Sequence, residues 1–254
     1  MNQKNNTKLV GHLFLKKLGK TKLRPGGIRA TNFLLQYINF NKNPKILEIA
    51  CNNGVNLITL SKKYKNSTFI GVDLDKKAIE EANTKKKIAN LNNCTFLQAN
   101  AFNLPFEDES FDYIINEAML TMLPFEIKEK VLKEVFRVLK KDGLYLTHDI
   151  ALINNQCGTT NTLSKAINMK VNPLITSKWL ELFKNNNFVL IDMQKGSLSL
   201  MNPIGMLRDE GLFNTIKIIK NGLKSENRNQ FLNMKKTFKK LNKKLNYIVL
   251  IHKK

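Results

Sequence analysis

Two apolar segments, the first of which runs into a tight polar turn, constrain the fold of this chain more than any other feature. The first segment, at 45–50, has the composition of a buried strand and runs directly into the turn at 51–54. A helical pattern follows, and the second segment, at 68–73, ends on Asp73 about 20 residues after the turn. Backbone N–H groups at such a turn bind the polar part of a ligand, and the acid accepts hydrogen bonds from ribose hydroxyls. The sequence therefore predicts a site for an adenosine group where two neighbouring strands end.

Strands and helices alternate between residues 45 and 150. We predict strands at 45–50, 68–73, 94–98, 112–116 and 144–150, with helices at 54–65, 75–90 and 125–140. Strands that alternate with helices form a mostly parallel sheet covered on both faces. We therefore expect an α/β fold, a Rossmann-like three-layer α/β/α sandwich.

The pattern changes after residue 150. We interpret 151–175 as irregular and predict a short helix at 176–186 and a sixth strand at 188–200. A helical stretch then covers 204–244, and an apolar run ends the chain, which indicates a last strand inserted into the sheet. The expected organisation is as follows: an N-terminal segment at 1–27 that closes over the site, a core at 28–203, a helical insertion or cap at 204–244 and a final strand within 245–254.

Cysteine usage and hydropathy favour a reduced cytoplasmic protein. Cys51, Cys94 and Cys157 lie far apart and form no CxxC pair, so they indicate neither a disulfide framework nor a metal site. No apolar run is long enough to span a membrane, and the basic N-terminus lacks the cleavage site of a signal peptide.

The formal net charge of +22 raises the question of a nucleic-acid or anionic-surface partner. Nearly all of the excess comes from Lys, whereas phosphate-binding surfaces tend to use more Arg. Compositional bias is therefore the favoured interpretation, and nucleic acid is a possible but disfavoured partner. The basic stretch 212–244 also carries an apolar stripe, which favours a solvated helix packed on the core, with RNA or acidic lipid as the alternative.

Five motifs together resemble the class I S-adenosylmethionine-dependent methyltransferases, in particular their "type 11" small-molecule branch. They are the turn after the first strand, Asp73 at the end of the second, QANAF at 98–102, LPFEDESFD at 104–112 and VFRVLKKDG at 135–143. The family's sheet has seven strands, the last of them antiparallel and inserted between the fifth and sixth. The resemblance therefore implies this sheet and S-adenosylmethionine as the cofactor, with S-adenosylhomocysteine as the product.

The resemblance also assigns cofactor-binding positions. The family's first motif has an acid followed by alternating glycines; here they read Glu48, Ala50, Asn52 and Gly54, so a single glycine remains. Asn tolerates the left-handed conformation better than other non-glycine residues, and Ala adds only a methyl group. The remaining expected cofactor contacts are Asp73, Leu74, Asn100, Ala101, Phe102, Asn116, Arg24 and Gly26.

Two side chains at strand ends are candidates for catalysis. Ligands of open α/β sheets bind beyond the carboxyl ends of the strands, where Glu117 and His148 lie. Either could take a proton from an acceptor or bind it, and each could instead form a structural hydrogen bond. His12 is a weaker candidate because it lies in the segment expected to close over the site.

The sequence therefore predicts methyl transfer from S-adenosylmethionine to a small or medium metabolite by direct in-line displacement, without a metal. The alternatives are an RNA methyltransferase of the same fold and a non-catalytic protein that binds S-adenosylmethionine. A dinucleotide dehydrogenase is disfavoured because the chain lacks GxGxxG. The acceptor molecule and the oligomeric state stay open.

Overall fold

An eight-stranded sheet forms the centre of the protein in the computed structural model, which describes residues 9–254. The strands are β1 Lys45–Ile49, β2 Thr68–Asp73, β3 Cys94–Gln98, β4 Phe111–Glu117, β5 Leu139–Leu152, β6 Leu174–Ile175, β7 Val189–Ser197 and β8 Leu245–Lys253. Their order is β3-β2-β1-β4-β5-β8-β7, and the short β6 pairs with the end of β5.

The first five strands are parallel, whereas β8 runs antiparallel between β5 and β7. This arrangement confirms the predicted Rossmann-like sheet with an inserted antiparallel last strand. The two-residue β6 was not predicted.

Nine α-helices surround the sheet within the described part of the chain. They are α1 Gly11–Leu18, α2 Gly27–Leu35, α3 Val55–Lys63, α4 Lys76–Ile88, α5 Phe125–Val138, α6 Thr159–Ile167, α7 Thr176–Asn185, α8 Pro203–Leu223 and α9 Ser225–Leu241. Two apolar cores result, one on each face of the sheet. Residues of α5 and α7 form one of them, and the other seven helices contribute to the second. Burial on both faces explains why the central strands are almost continuously apolar.

The prediction that 151–175 is irregular was wrong. This segment contains α6 and β6, and Leu163 of α6 is fully buried in the same core as α1 and α9. Leu163 and Ile167 are four residues apart, which is the spacing of one helical face. The polar residues around them masked this short amphipathic pattern.

The helices α8 and α9 connect β7 to β8. The backbone of α8 is not helical at Gly211, where φ is 74°, so α8 consists of two helical pieces. No helix among residues 9–254 combines the length and the apolar character that a bilayer crossing requires.

Candidate active site

The turn between β1 and α3 has an unusual backbone. Ala50, Asn52 and Gly54 all adopt the left-handed conformation, with φ values of 58°, 48° and 70°. A Cβ atom at Gly54 would lie 2.5 Å from the ring of Phe96, so both conformation and space require glycine there. The alternating glycine positions of the sequence motif therefore have a geometric cause, which Asn and Ala meet at some conformational cost.

Asp73 lies directly against this turn. Its Oδ2 accepts a hydrogen bond from the Asn52 N–H at 2.8 Å, and its Oδ1 accepts one from the Asp75 N–H at 2.9 Å. The structure thus places a carboxylate beside the turn at the end of β2, as the spacing predicted. Each of its oxygens keeps room for a further hydrogen bond, because a carboxylate oxygen has two lone pairs.

Apolar side chains are exposed beside Asp73. Leu74 follows β2 and is 66% exposed, and Phe102 follows β3 and is 42% exposed. These strands are neighbours, with Asp73 in register with Gln98, so both side chains lie at one edge of the sheet. Asn100 forms a tight turn between them, in which its Oδ1 accepts from the Phe102 N–H at 3.3 Å. The three residues can border a flat apolar group that carries polar edges.

Glu48 is a buried acid with one unpaired oxygen. Its Oε1 accepts from Asn56 Nδ2 at 2.8 Å, whereas its Oε2 is buried and has no hydrogen-bond partner within the described chain. Burial raises the pKa of Glu48 to about 7, against the attraction of Arg24. Buried polar atoms are rarely left unpaired, so Oε2 is suited to a donor from a ligand, such as an ammonium group.

Asn116 has a similar arrangement on the neighbouring strand β4. Its Nδ2 donates to the Ile49 carbonyl at 3.1 Å, while its buried Oδ1 lacks a partner among residues 9–254. Its amide therefore supports the end of β1, immediately before the turn.

A buried polar network joins the two catalytic candidates to the N-terminal segment. Glu117 Oε1 pairs with Arg24 at 2.9 Å, and Glu117 Oε2 contacts His148 Nδ1 at 2.9 Å and Thr31 Oγ1 at 2.8 Å. Burial would raise the pKa of Glu117, but Arg24, His148 and Thr31 together bring that pKa below its ordinary value. Glu117 is therefore an ionised carboxylate at neutral pH.

Both ring nitrogens of His148 are engaged in this arrangement. Its Nε2 lies 2.9 Å from the Gly26 N–H, so it must accept that hydrogen bond and carry no proton. The proton of a neutral ring then lies on Nδ1 and points at Glu117. His148 can accept a proton from a substrate only after Gly26 moves away.

The helix α1 lies near Asp73 and is tied to α4. Lys16 of α1 pairs with Glu81 of α4 at 2.8 Å. His12 is half-buried; burial lowers its pKa, against the attraction of Asp73 and Asp75. His12 is therefore neutral at pH 7 and close enough to Asp73 to be influenced by its charge.

A cavity of about 60 Å³ adjoins the polar network. It lies beyond the end of β4, beside the last part of β5 and beneath α1, and its polar contributors are His12, Thr121 and Asp149. Most of its lining is apolar, supplied by Leu15, Leu23, Leu163, Ile167, Met169, Leu200, Met234 and Phe238. This lining is typical of a site for the apolar part of a small molecule.

The structure brings together Arg24, Gly26, Glu117 and His148, which the sequence identified separately. Sequence reasoning missed Thr31 and Asn56, whose side chains hydrogen-bond Glu117 and Glu48. It also missed the part of the cavity supplied by α6. The available signal was a polar residue early in each helix: Thr31 lies one turn into α2, and Asn56 is the second residue of α3.

Comparisons with known proteins identify the family of this chain. Residues 40–187 match a family described as "Methyltransferase domain". An uncharacterized protein of Haemophilus influenzae is 47% identical over 96% of this chain and 98% of its own length.

Two further similarities are more partial. The ubiquinone/menaquinone biosynthesis C-methyltransferase UbiE of Rickettsia prowazekii is 38% identical over 45% of this chain and 46% of its own length. The structure of Haemonchus contortus Phospholethanolamine N-methyltransferase 2, in complex with phosphomonomethylethanolamine and S-adenosylhomocysteine, superposes with a TM-score of 0.74. The similarity to it covers 100% of this chain and 59% of that one at 15% identity, which shows a shared fold.

Proposed function

Because the chain belongs to the class I S-adenosylmethionine-dependent methyltransferase family, we propose that it transfers a methyl group from S-adenosylmethionine to a small molecule with an apolar body. The observation that carries this proposal is the combination of a left-handed turn at 50–54 with two acids at the ends of neighbouring strands. Asp73 accepts a hydrogen bond from the turn, and Glu48, in the strand that leads into the turn, has an unpaired buried oxygen.

The chemistry of these residues fits the cofactor. The buried Oε2 of Glu48 suits the ammonium group of its amino-acid part, and the N–H groups of the turn suit the carboxylate. Asp73 would accept from the ribose hydroxyls, while Leu74 and Phe102 border the adenine and Asn100 accepts from its amino group. Asn116 and Gly54 would shape the floor of the crevice, with Ala50, Asn52 and Ala101 contributing backbone.

The cavity beneath α1 would hold the methyl acceptor. S-adenosylmethionine supplies a methyl group that its sulfonium already activates, so the protein need only hold the acceptor in line and exclude water. The apolar side chains of α1, α6 and α9 would bind the acceptor body, and Ala118 and Thr121 would border the reacting end. The cavity lining therefore favours an apolar acceptor over a strongly charged one.

A proton acceptor is needed only when the acceptor atom carries a proton. His12 lines the cavity, and because burial lowers its pKa it is neutral at pH 7 and able to accept. Glu117 and His148 would act first as positioning residues, which hold Arg24 and Gly26 over the site. His148 becomes a second proton acceptor when the N-terminal segment opens.

Calorimetric titration of S-adenosylhomocysteine into two matched variants tests the cofactor assignment. Asp73→Asn removes the charge proposed to bind the ribose, and Asp75→Asn removes a charge two residues away while retaining an oxygen to cap α4. We expect Asp73→Asn to weaken binding at least about tenfold, because it loses charge-assisted hydrogen bonds, and Asp75→Asn to bind like the parent. Equal affinities for both variants, or no binding by the parent, would contradict the assignment.

Incubation of the protein with labelled S-adenosylmethionine and an organic-solvent extract of cells tests turnover. We expect label in apolar small molecules. Label recovered only in added RNA, or cofactor binding without transfer to any fraction, would refute the proposed acceptor class.

A further inference from the structure

The outward side of α8 exposes an unusual number of large apolar side chains. Within 203–223 these side chains point to solvent rather than to either core: Ile204, Leu207, Leu212, Phe213, Ile216 and Leu223. Phe213 is 88% exposed and Ile204 is 76% exposed. We refer to these six residues, together with Arg208, Lys217 and Lys220, as the α8 outer face. Soluble proteins seldom expose so many large apolar groups on one helix without a partner.

Cations accompany these apolar groups. Arg208, Lys217 and Lys220 are exposed on the same helix. Lys217 and Lys220 form no ion pair with any residue at positions 9–254, whereas Arg208 lies 3.6 Å from Asp209. The outer face is therefore positive as well as apolar, in a chain whose net charge is +22.

The two acids of α8 point inward instead. Asp209 is buried and accepts hydrogen bonds from Ser199 Oγ at 2.9 Å and the Ile28 N–H at 3.1 Å. Glu210 pairs with Lys20 in a buried ion pair and accepts from the Lys22 N–H at 2.8 Å. These contacts fix the rotation of the first half of α8, so its apolar residues cannot turn into the core.

The break at Gly211 starts the second half of α8 at an exposed point. Gly211 adopts a φ of 74°, which glycine does without strain, and a Cβ atom at this position would have no atom within 4 Å. Leu212 and Phe213 follow directly and are exposed. The chain thus presents two large apolar side chains at a bend, with lysines one turn later.

We propose that the α8 outer face docks on the surface of an anionic lipid bilayer. Aliphatic and aromatic side chains enter the acyl boundary, while Arg and Lys meet the anionic headgroups, and the α8 outer face offers both. A symmetric contact with a second copy of this chain would oppose like charges. Nucleic acid would satisfy the lysines but leave Ile204, Leu207 and Ile216 without apolar partners. A bilayer offers partners to both the apolar and the cationic side chains of the α8 outer face. This docking does not depend on the proposed methyl transfer.

Co-flotation of the full chain with vesicles tests the proposal. We expect binding to mixed phosphatidylcholine–phosphatidylglycerol vesicles that weakens with salt, and little binding to phosphatidylcholine alone. Leu212→Ser combined with Phe213→Ser should weaken binding at least about tenfold. Lys217→Glu combined with Lys220→Glu should weaken it at least about twentyfold, since each lysine near an anionic surface contributes about fivefold.

Matched control variants on other parts of the surface distinguish an effect of the α8 outer face from an effect of the total charge or the total apolar surface. Lys133→Glu with Lys141→Glu makes the same charge change on another part of the surface, and Ile88→Ser with Val189→Ser removes two exposed apolar side chains there. We expect both control pairs to bind vesicles within about threefold of the parent. Unchanged thermal unfolding would show that every variant is folded.

Three results would overturn the proposal. One is failure of the parent to bind anionic vesicles at low salt. Another is an equal loss of vesicle binding in the α8 pairs and in the control pairs, which would show that binding depends on the overall charge or apolar surface and not on the α8 outer face. The third is a parent dimer in sedimentation that the Leu212 and Phe213 changes dissociate, which would assign the face to a second copy.

Discussion

Replacing Glu48 by glutamine is expected to stabilise the free protein at alkaline pH and to weaken its binding of S-adenosylhomocysteine. The side chain is buried at 5% exposure, and burial raises the pKa of Glu48 from 4.5 to about 7. Ionising this carboxyl in the folded protein therefore costs more than in the unfolded chain, by about 3 kcal/mol. Glutamine has the same shape and removes that cost.

The expected gain in the free energy of unfolding is reduced because the glutamine amide leaves a hydrogen-bond donor without a partner. Glutamine keeps the oxygen that accepts from Asn56, but its amide nitrogen takes the place of the unpaired Oε2. A buried donor without a partner costs about 1 kcal/mol. We therefore expect a net gain of about 2 kcal/mol above pH 7, or about 4–8 °C in the unfolding temperature of a chain of this size.

The sign of the pH dependence follows from proton binding. Between pH 4.5 and about 7 the folded parent keeps a proton on Glu48 that the unfolded chain has released. Raising the pH through this window therefore destabilises the parent but not the Glu48→Gln variant. The stability of the variant relative to the parent should rise across the window and level off above pH 7. Towards pH 4.5 only the cost of the unpaired amide remains, so the variant should there be less stable than the parent by up to about 1 kcal/mol.

Urea unfolding at a series of pH values and calorimetric titration of S-adenosylhomocysteine measure the two effects. We expect the ligand to bind the variant at least about tenfold more weakly, because its ammonium group loses a charged partner. Glu107→Gln, on an exposed side chain, is the matched control. A stability advantage over the parent that is no larger at pH 8.5 than at pH 5, or unchanged binding of the ligand by the variant, would refute the reasoning about Glu48.

Two further predictions concern the turn and the buried polar network. Gly54→Ala should lower the free energy of unfolding by about 2–4 kcal/mol, because it strains a left-handed residue and brings Cβ to 2.5 Å from the Phe96 ring. Gly158→Ala, at φ 80° with open space around it, should lose only about 1 kcal/mol in the same urea titration, and equal losses would discount the packing argument. Arg24→Met should speed dissociation of S-adenosylhomocysteine about tenfold in stopped-flow measurements, because its ion pair with Glu117 holds the N-terminal segment closed. Unchanged dissociation would show that this segment does not retain the ligand.

Local sequence patterns determined the sheet and one half of the candidate site. Continuous apolar runs defined the buried parallel strands, and the inserted last strand followed from a family resemblance and an apolar terminus. The positions of Glu48, Asp73 and the turn could be predicted from the sequence because they lie within one strand–turn–helix–strand unit. Contacts within such a unit depend on neighbouring residues, so spacing alone conveys their geometry.

Tertiary structure alone decided how distant residues combine. The sequence identified Arg24, Gly26, Glu117 and His148 as single candidates, yet gave no sign that one network joins them, with Gly26 and His148 separated by 122 positions. It also left α6 unrecognised and could not show which side of α8 faces solvent. These features depend on how the N-terminal segment and the late helices pack over the sheet, and that packing is set by burial summed over many weak contacts rather than by any local pattern.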